Sequence, residues 1–144
     1  MRAVDTNILL YSQDTRCAEH AAACAFLRDH ADDADLVICE LVLVELYVLL
    51  RNPVVVERPL SAPQAAQVVH GFRSNPRWVI VESAQGVMGE VWRRAEKRGF
   101  ARRAIFDARL ALTLRHHGVT ELATRNVGDF QGFGFERVWD PVEV

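Results

Sequence analysis

The sequence predicts an α/β fold in which a mostly parallel sheet of four to five strands is covered by helices on both faces. Short apolar runs, long enough only for strands, alternate with longer segments of helical periodicity. This alternation favours parallel pairing, because each helical segment returns the chain to the starting edge of the sheet. The 144 residues contain no repeat, linker or low-complexity segment, so we expect a single domain over 1–144.

Four apolar runs predict the strands, and a segment near the end of the chain would add a fifth. The four runs are 2–4, 36–39, 78–81 and 121–124, and the fifth segment is 135–139. Each run is bounded by polar or turn-forming residues, as strands buried in an α/β sheet usually are.

Helices are predicted between the strands from apolar periodicity and from start and stop signals. They are expected to begin at the triplet Asp5-Thr6-Asn7 and to cover 17–30, 40–51, 61–74, 83–98 and 103–117. Ser61 and Gln64 have the spacing of a capping box. Ser83 is the predicted cap of the fifth helix, with Gly99 as its stop.

The charge balance does not by itself indicate a nucleic-acid partner. Seventeen Lys and Arg residues stand against 19 Asp and Glu residues, which gives a net charge of −2. Phosphate binding depends on positive charge, so this balance counts against it. All but one of the basic residues are arginines, which bind phosphate through a bidentate fork, although a GC-rich genome also explains that bias.

The remaining composition predicts a cytoplasmic protein without a membrane span. No apolar run approaches the roughly 20 residues that a transmembrane helix needs. The N-terminus carries an acidic residue at position 5, unlike a signal peptide. The three cysteines include no C-x-x-C pair, which argues against a disulfide framework or a zinc site.

Acidic residues occur at or near the ends of predicted strands, where parallel sheets bind their ligands. Asp5 follows the first strand, and Asp129 follows the strand at 121–124. Glu45 is the only charge in the apolar segment 41–50, and Asp107 opens another helix. Structural roles remain open for each: a helix cap for Asp5, a dipole contact for Asp107, a turn for Asp129 and an ion pair for Glu45.

If these four carboxylates converge, they repel one another unless a cation lies between them. Hard oxygen ligands suit Mg²⁺ or Mn²⁺, which also bind phosphates. Such ions activate water and stabilise the leaving oxygen in phosphodiester cleavage. The residues therefore predict a metal-dependent phosphoryl-transfer site.

Four motifs in the same order resemble those of the PIN-domain family, and the length and closing segment most resemble its VapC toxins. The motifs are Asp5-Thr6-Asn7-Ile8-Leu9, Val44-Glu45-Leu46, Asp107-Ala108-x-Leu110-Ala111 and Thr124-Arg125-Asn126-x-x-Asp129-Phe130. The resemblance covers essentially the whole chain and implies a three-layer α/β/α architecture. It also implies a Mg²⁺-dependent endoribonuclease, the toxin of a bacterial toxin–antitoxin pair.

The resemblance further implies roles for individual residues. Asp5, Glu45 and Asp107 match the three main carboxylates of the family, and Asp129 matches a fourth. All four are candidate catalytic residues and metal ligands. Asp5 and Asp107 would hold the first Mg²⁺, and Glu45 would orient or deprotonate the attacking water. The candidate substrate-binding residues are Thr6, Asn7, Thr124, Arg125 and Asn126. Many relatives have Asp where this chain has Asn126, so either Asn126 or Asp129 could face a second metal.

The implied partners are a second copy of the chain, a VapB-type antitoxin that covers the pocket, and a tRNA or rRNA substrate. Arg125 is the best candidate for a phosphate contact, with an ion pair as its alternative, and Arg102-Arg103 is a second candidate. Two other functions stay open. A phosphohydrolase with Asp5 as nucleophile would normally have a second acid where this chain has Asn7, and a PIN-like binding module would keep the fold without the chemistry.

Overall fold

The computed structural model describes residues 1–143 and contains a five-stranded sheet in which every neighbouring pair is parallel. The strands are β1 (Arg2–Val4), β2 (Leu36–Cys39), β3 (Val79–Val81), β4 (Glu121–Ala123) and β5 (Arg137–Trp139). Their order across the sheet is β3-β2-β1-β4-β5. The predicted α/β class and parallel sheet are confirmed, with the fifth strand present.

Helices connect the strands and pack against one another. They are α1 (Thr6–Gln13), α2 (His20–Asp29), α3 (Glu40–Leu50), α4 (Ala62–Arg73), α5 (Val87–Ala95) and α6 (Ala104–His116), and a 3₁₀ helix covers Val127–Phe130. Helix α1 packs against α2 and α3, α3 packs against α4, and α5 packs against α6. No helix among residues 1–143 has the length and apolar character needed to cross a membrane.

The strand order places a switch point between β1 and β4. The chain proceeds from β1 through β2 to β3 on one side, and α5 and α6 then carry it to β4 and β5 on the other side. Val4 pairs with Ala123, and the Asp5 amide donates a 2.9 Å hydrogen bond to the Ala123 carbonyl. Asp5 and Thr124 therefore meet at the carboxyl edge of the sheet, where such folds bind ligands.

The main core lies around the central strands, and all four residues of β2 are buried. Helix α3 is less buried than its apolar sequence predicts. It buries Val42, Leu43, Leu46 and Leu50, but Val44 is 62% exposed and Val48 56% exposed. A helix beside the sheet presents only one stripe to the core, so even an all-apolar helix leaves its other side exposed.

Several predicted boundaries are wrong by a few residues. Helix α2 begins at His20 rather than at residue 17, and α5 covers Val87–Ala95 rather than 83–98. Ser83 does not cap α5, because Gly86, with φ of +88°, stands at the N-cap position. The predicted capping box is confirmed: Gln64 N donates to Ser61 Oγ, and the Ser61 amide donates to the Gln64 side chain.

Candidate active site at the carboxyl edge of the sheet

A cavity of about 250 Å³ opens at the switch point and brings together most of the predicted site residues. Three of the four predicted carboxylates line it: Asp5, Glu45 and Asp107. They come from the end of β1, the middle of α3 and the first turn of α6. These three elements are distant in sequence but meet here, because α3 follows β2, α6 precedes β4, and both strands are neighbours of β1 in the sheet.

Asp5 is held rigidly at the base of this cavity. It is 7% exposed and is the N-cap residue of α1. Its Oδ1 accepts a 2.8 Å hydrogen bond from the Thr6 amide, and its Oδ2 accepts a 2.7 Å bond from the Thr124 hydroxyl. Burial nevertheless raises the pKa of Asp5, because the desolvation of its charge outweighs these bonds, and the charge of Asp129 adds to the rise.

Glu45 lies on the outer wall of the cavity, on the face of α3 that turns away from the core. Desolvation by the protein groups packed around its carboxylate raises the pKa of Glu45, and the negative charges of Asp5 and Asp107 raise it further. The positive charge of the nearby Arg103 guanidinium lowers the pKa of Glu45. In the described part of the chain Glu45 forms no salt bridge, and the Arg51 guanidinium donates to the Tyr47 hydroxyl.

Asp107 and Asp129 complete the acidic group. Burial raises the pKa of Asp107 to about 6, with further contributions from the charges of Asp129 and Asp5. Asp129, in the 3₁₀ helix after β4, is exposed and does not line the cavity, although its charge reaches both other aspartates. Asn126, by contrast, lines the cavity wall.

The sequence matches the PIN domain family over residues 2–134. This chain belongs to the PIN-domain family. Ribonuclease VapC24 of Mycobacterium tuberculosis is 61% identical to this PIN domain over 142 residues, which cover 99% of this chain and 97% of the relative. The predicted resemblance is confirmed.

Solved structures show the same fold at low identity. The M. tuberculosis toxin VapC20, described as cleaving the sarcin-ricin loop, superposes with a TM-score of 0.71 at 18% identity, covering 94% of this chain and 96% of its own. FitAcB from Neisseria gonorrhoeae superposes with a TM-score of 0.68 at 18% identity over the full length of both chains. VapBC2 from Rickettsia felis, bound to a promoter DNA fragment, gives 0.61 at 16% identity, with 96% and 97% coverage.

The carboxylate oxygens of this PIN domain are suitable ligands for a divalent cation, but in this structure the side chains are not close enough together to bind one. Its carboxylates raise one another's pKa, which is the repulsion that a cation would relieve. The buried Thr6 hydroxyl faces the same cavity without a hydrogen-bond partner; it lies near enough to favour charged Glu45. Within residues 1–143, however, no three His, Cys, Asp or Glu side chains are arranged to hold a metal ion. A cation would therefore have to draw the carboxylates inward.

The predicted substrate-binding residues divide into two groups. Thr6, Asn7 and Asn126 line the cavity. Thr124 is completely buried, so its hydroxyl positions Asp5 and cannot touch a substrate in this structure. Arg125 forms a 2.6 Å salt bridge with Asp140 and lies 3.8 Å from Glu19, which favours the ion-pair alternative.

The nucleophile hypothesis for Asp5 finds no support in this geometry. Both carboxylate oxygens accept short hydrogen bonds, which reduce their nucleophilicity but leave lone pairs that can bind a cation. The second acid of such enzymes is replaced by Asn7, whose side-chain amide lies 3.5 Å from Asp5 Oδ2.

Several residues that line the cavity were not predicted from the sequence, and two of them lie close to Asp107. Phe106 and Arg109 flank Asp107 on α6 and both line the cavity. Their spacing from Asp107 gave no signal for this, because helix residues one or two positions apart do not share a face.

Proposed function

We propose that this PIN domain is a Mg²⁺-dependent endoribonuclease and the toxin of a VapBC-type toxin–antitoxin pair. The observation that carries the proposal is the convergence of Asp5, Glu45 and Asp107 on one cavity at the switch point of the sheet. The identity of 61% to Ribonuclease VapC24 over nearly the whole chain supports RNA as the substrate class, and tRNA or rRNA is the expected kind.

Asp5 and Asp107 are the residues that would hold Mg²⁺, with Mn²⁺ as an alternative. When bound, such an ion supplies Lewis-acid stabilisation of charge on the phosphate. Asp5 suits this role because the bonds from Thr6 and Thr124 fix its carboxylate in one orientation. Asp129 contributes negative charge from outside the cavity, and Asn126 offers an uncharged oxygen from the wall.

Glu45 is the residue placed to handle the proton of the attacking water. Its raised pKa increases the basicity of its carboxylate, as general-base catalysis requires. The buried Thr6 hydroxyl lies near Glu45 and favours the charged form of its carboxylate. In this role a Glu45 oxygen takes a proton as the water oxygen bonds to phosphorus. The bond from phosphorus to the leaving ribose oxygen breaks, and that oxygen takes a proton from solvent.

The first prediction concerns the carboxylates themselves. Asp5→Asn and Glu45→Gln keep side-chain size and remove charge, so each should lower the rate of RNA cleavage by about 10²- to 10⁴-fold. The measurement is cleavage of total tRNA and rRNA by the purified protein in Mg²⁺. A parallel reaction in EDTA should show no cleavage.

Glu40→Gln is the matched control for Glu45→Gln. Glu40 begins the same helix but pairs with Arg73, and cleavage should stay within about twofold because surface ion pairs contribute little. Cleavage that survives EDTA, or that Asp5→Asn and Glu45→Gln leave unchanged, would contradict the proposal. Absence of both cleavage and Mg²⁺ or Mn²⁺ binding would favour the binding-module alternative.

The proposed partners follow from the same relationship. We expect a homodimer and a hetero-oligomer with a VapB-type antitoxin that covers the cavity. Solved neighbours of this fold include a toxin–antitoxin complex from Klebsiella pneumoniae, with a TM-score of 0.64 at 22% identity, which covers 100% of both chains. Co-expression with the reading frame adjacent to this gene, followed by mass measurement of the purified complex, tests both expectations.

A further inference from the structure

The aromatic ring of Phe106 stands at the mouth of the acidic cavity without a packing partner in the core. Its side chain is 56% exposed, although its neighbours on α6, Ile105 and Ala108, pack in the second apolar cluster. It lines the same cavity as Asp107, the next residue in the chain. Its position beside the polar cavity, rather than its exposure alone, is what makes it a candidate surface for stacking on a base.

Two arginines flank Phe106 at a spacing of three residues. Arg103 precedes it and Arg109 follows it, so each is its neighbour on the surface of α6. Arg109 lines the cavity, and its Nε is buried without a hydrogen-bond partner among residues 1–143. We call Arg103, Phe106 and Arg109 the α6 rim.

The cations of the α6 rim form no ion pair with the acids of the site, although the charge of Arg103 reaches Glu45 and lowers its pKa. Within the part of the chain that the structure describes, neither Arg103 nor Arg109 forms a salt bridge with a carboxylate. The pKa of Asp107 is raised by burial and by two other aspartates, with no cation among the causes. These guanidinium groups are therefore available to an anion that enters from outside.

The geometry points to a nucleotide-binding subsite at the α6 rim, in which Phe106 stacks on an unpaired base and Arg109 and Arg103 contact the adjoining phosphates. This inference rests on the proposed function, because it places single-stranded RNA beside the carboxylates. The combination of an exposed ring with cations on both sides is the pattern that binds single strands. A base inside a duplex cannot stack on a side chain, so the subsite selects unpaired segments such as loops.

The test measures binding without cleavage. A fluorescein-labelled 12-nucleotide RNA of mixed sequence, single-stranded or annealed to its complement, is titrated with the full-length protein in EDTA and low salt, and anisotropy is recorded. Phe106→Ala should weaken single-strand binding by about 5- to 20-fold, since one stacked base is lost. Duplex binding, already weaker, should change by less than twofold.

Three further variants separate stacking from general apolar contact. Phe106→Trp should restore single-strand binding to within about twofold, whereas Phe106→Leu should bind as weakly as Phe106→Ala. Trp92→Ala is the matched control: Trp92 is also 56% exposed, but it lies on α5 and does not line the cavity. Its binding should equal that of the wild type.

The arginines are tested through salt dependence. Arg103→Met and Arg109→Met should each weaken binding and reduce the slope of log affinity against log salt by about 0.7, the loss expected for one phosphate contact on a single strand. Arg28→Met is the control, because Arg28 is exposed in the last turn of α2 at the opposite edge of the sheet. Urea unfolding confirms that each variant is folded.

The outcomes distinguish this inference from the proposed function. RNA cleavage by the wild type together with unchanged binding by Phe106→Ala and Phe106→Leu would overturn the subsite alone. Single-strand binding that depends on Phe106, without cleavage in Mg²⁺, would support the subsite and contradict the nuclease. If Phe106→Ala instead halves the mass in solution and leaves RNA binding intact, the α6 rim is a contact between copies, and the inference is wrong.

Discussion

At the scale of single residues, the Thr124 hydroxyl determines how the site carboxylate is held. It donates to Asp5 Oδ2 at 2.7 Å and accepts the Asn126 amide at 3.0 Å, with the Asn7 side chain at 3.4 Å. The loop after β4 is thereby joined to the loop after β1. Because Thr124 has no exposed surface, these bonds form without competition from water.

Removing this hydroxyl should destabilise the fold measurably. Thr124→Val keeps the shape of the side chain but takes a donor from Asp5 and leaves the Asn126 amide without its acceptor. We expect the free energy of unfolding in urea to fall by about 2 kcal/mol. The pKa of Asp5 should also rise, because the hydrogen bond from Thr124 lowers it.

Thr120→Val is the control for this prediction. The Thr120 hydroxyl makes only a long, exposed bond of 3.4 Å to the Met1 carbonyl, so its loss should cost under about 0.5 kcal/mol. Equal effects of the two substitutions would show that Thr124 has no special part in holding the site.

At the scale of elements, the start of α4 was predictable because side chains cap it, whereas the start of α5, where a glycine stands at the cap position, was not. Ser61 and Gln64 predict the start of α4, because both residues of a capping box can be recognised in the sequence. Helix α5 begins after Gly86 in the left-handed region, and a glycine at φ of +88° leaves no polar signal at the cap. Ser83 therefore looked like the cap.

Two glycines of this segment should respond to alanine in opposite directions. Gly86→Ala should destabilise by about 1 kcal/mol, because a Cβ is strained at φ of +88°. Gly89→Ala, within α5, should stabilise by about 0.5–1 kcal/mol, since alanine is the better helix former. Neither site has an atom within 4 Å of the added Cβ, so packing does not confound the comparison.

Thermal unfolding of both variants beside the wild type provides the measurement. A stabilising effect of Gly86→Ala would mean that this residue does not hold a positive φ in solution. A destabilising effect of Gly89→Ala would indicate that α5 is not helical at that position.

At the scale of the whole molecule, the acidic cavity should make the metal-free protein less stable as pH rises. The pKa of Asp107 is about 6 in the folded chain against an ordinary value of 3.8, so the folded state binds more protons between those limits. The free energy of unfolding then falls as pH increases through this window, and the full loss from ionising Asp107 is reached above about pH 6. Below about pH 4 both states are protonated and the cost vanishes.

Asp107→Asn should therefore stabilise the protein in EDTA at pH 7.5, by about 1–2 kcal/mol after allowance for solvent screening. The gain should disappear near pH 4, and Asp32→Asn, at an exposed carboxylate, should show no such gain. Mg²⁺ should raise the melting temperature of the wild type but not of Asp107→Asn. A wild type that is insensitive to Mg²⁺ would contradict the proposed metal site.

The net charge of −2 is also reinterpreted at this scale. Asp5, Glu45, Asp107 and Asp129 supply four of the 19 acidic residues, which leaves 15 against 17 basic ones, a balance of +2. One divalent cation would balance two of those four charges and a second would balance the other two, so the metal-bound protein would no longer carry a net charge that opposes an RNA ligand. The balance is small, so RNA affinity should depend steeply on salt and on local features such as the α6 rim.

The amino-acid sequence by itself determined the α/β class, the parallel sheet and the positions of Asp5, Glu45 and Asp107, because periodicity and motif spacing are local properties of the chain. Only the tertiary structure decided that Thr124 is buried against Asp5, that Arg125 pairs with Asp140, and that Phe106 and Arg109 reach the cavity. These outcomes depend on contacts between residues up to 119 positions apart, such as the Thr124–Asp5 hydrogen bond. The packing of strands and helices creates such contacts, and no local pattern encodes them.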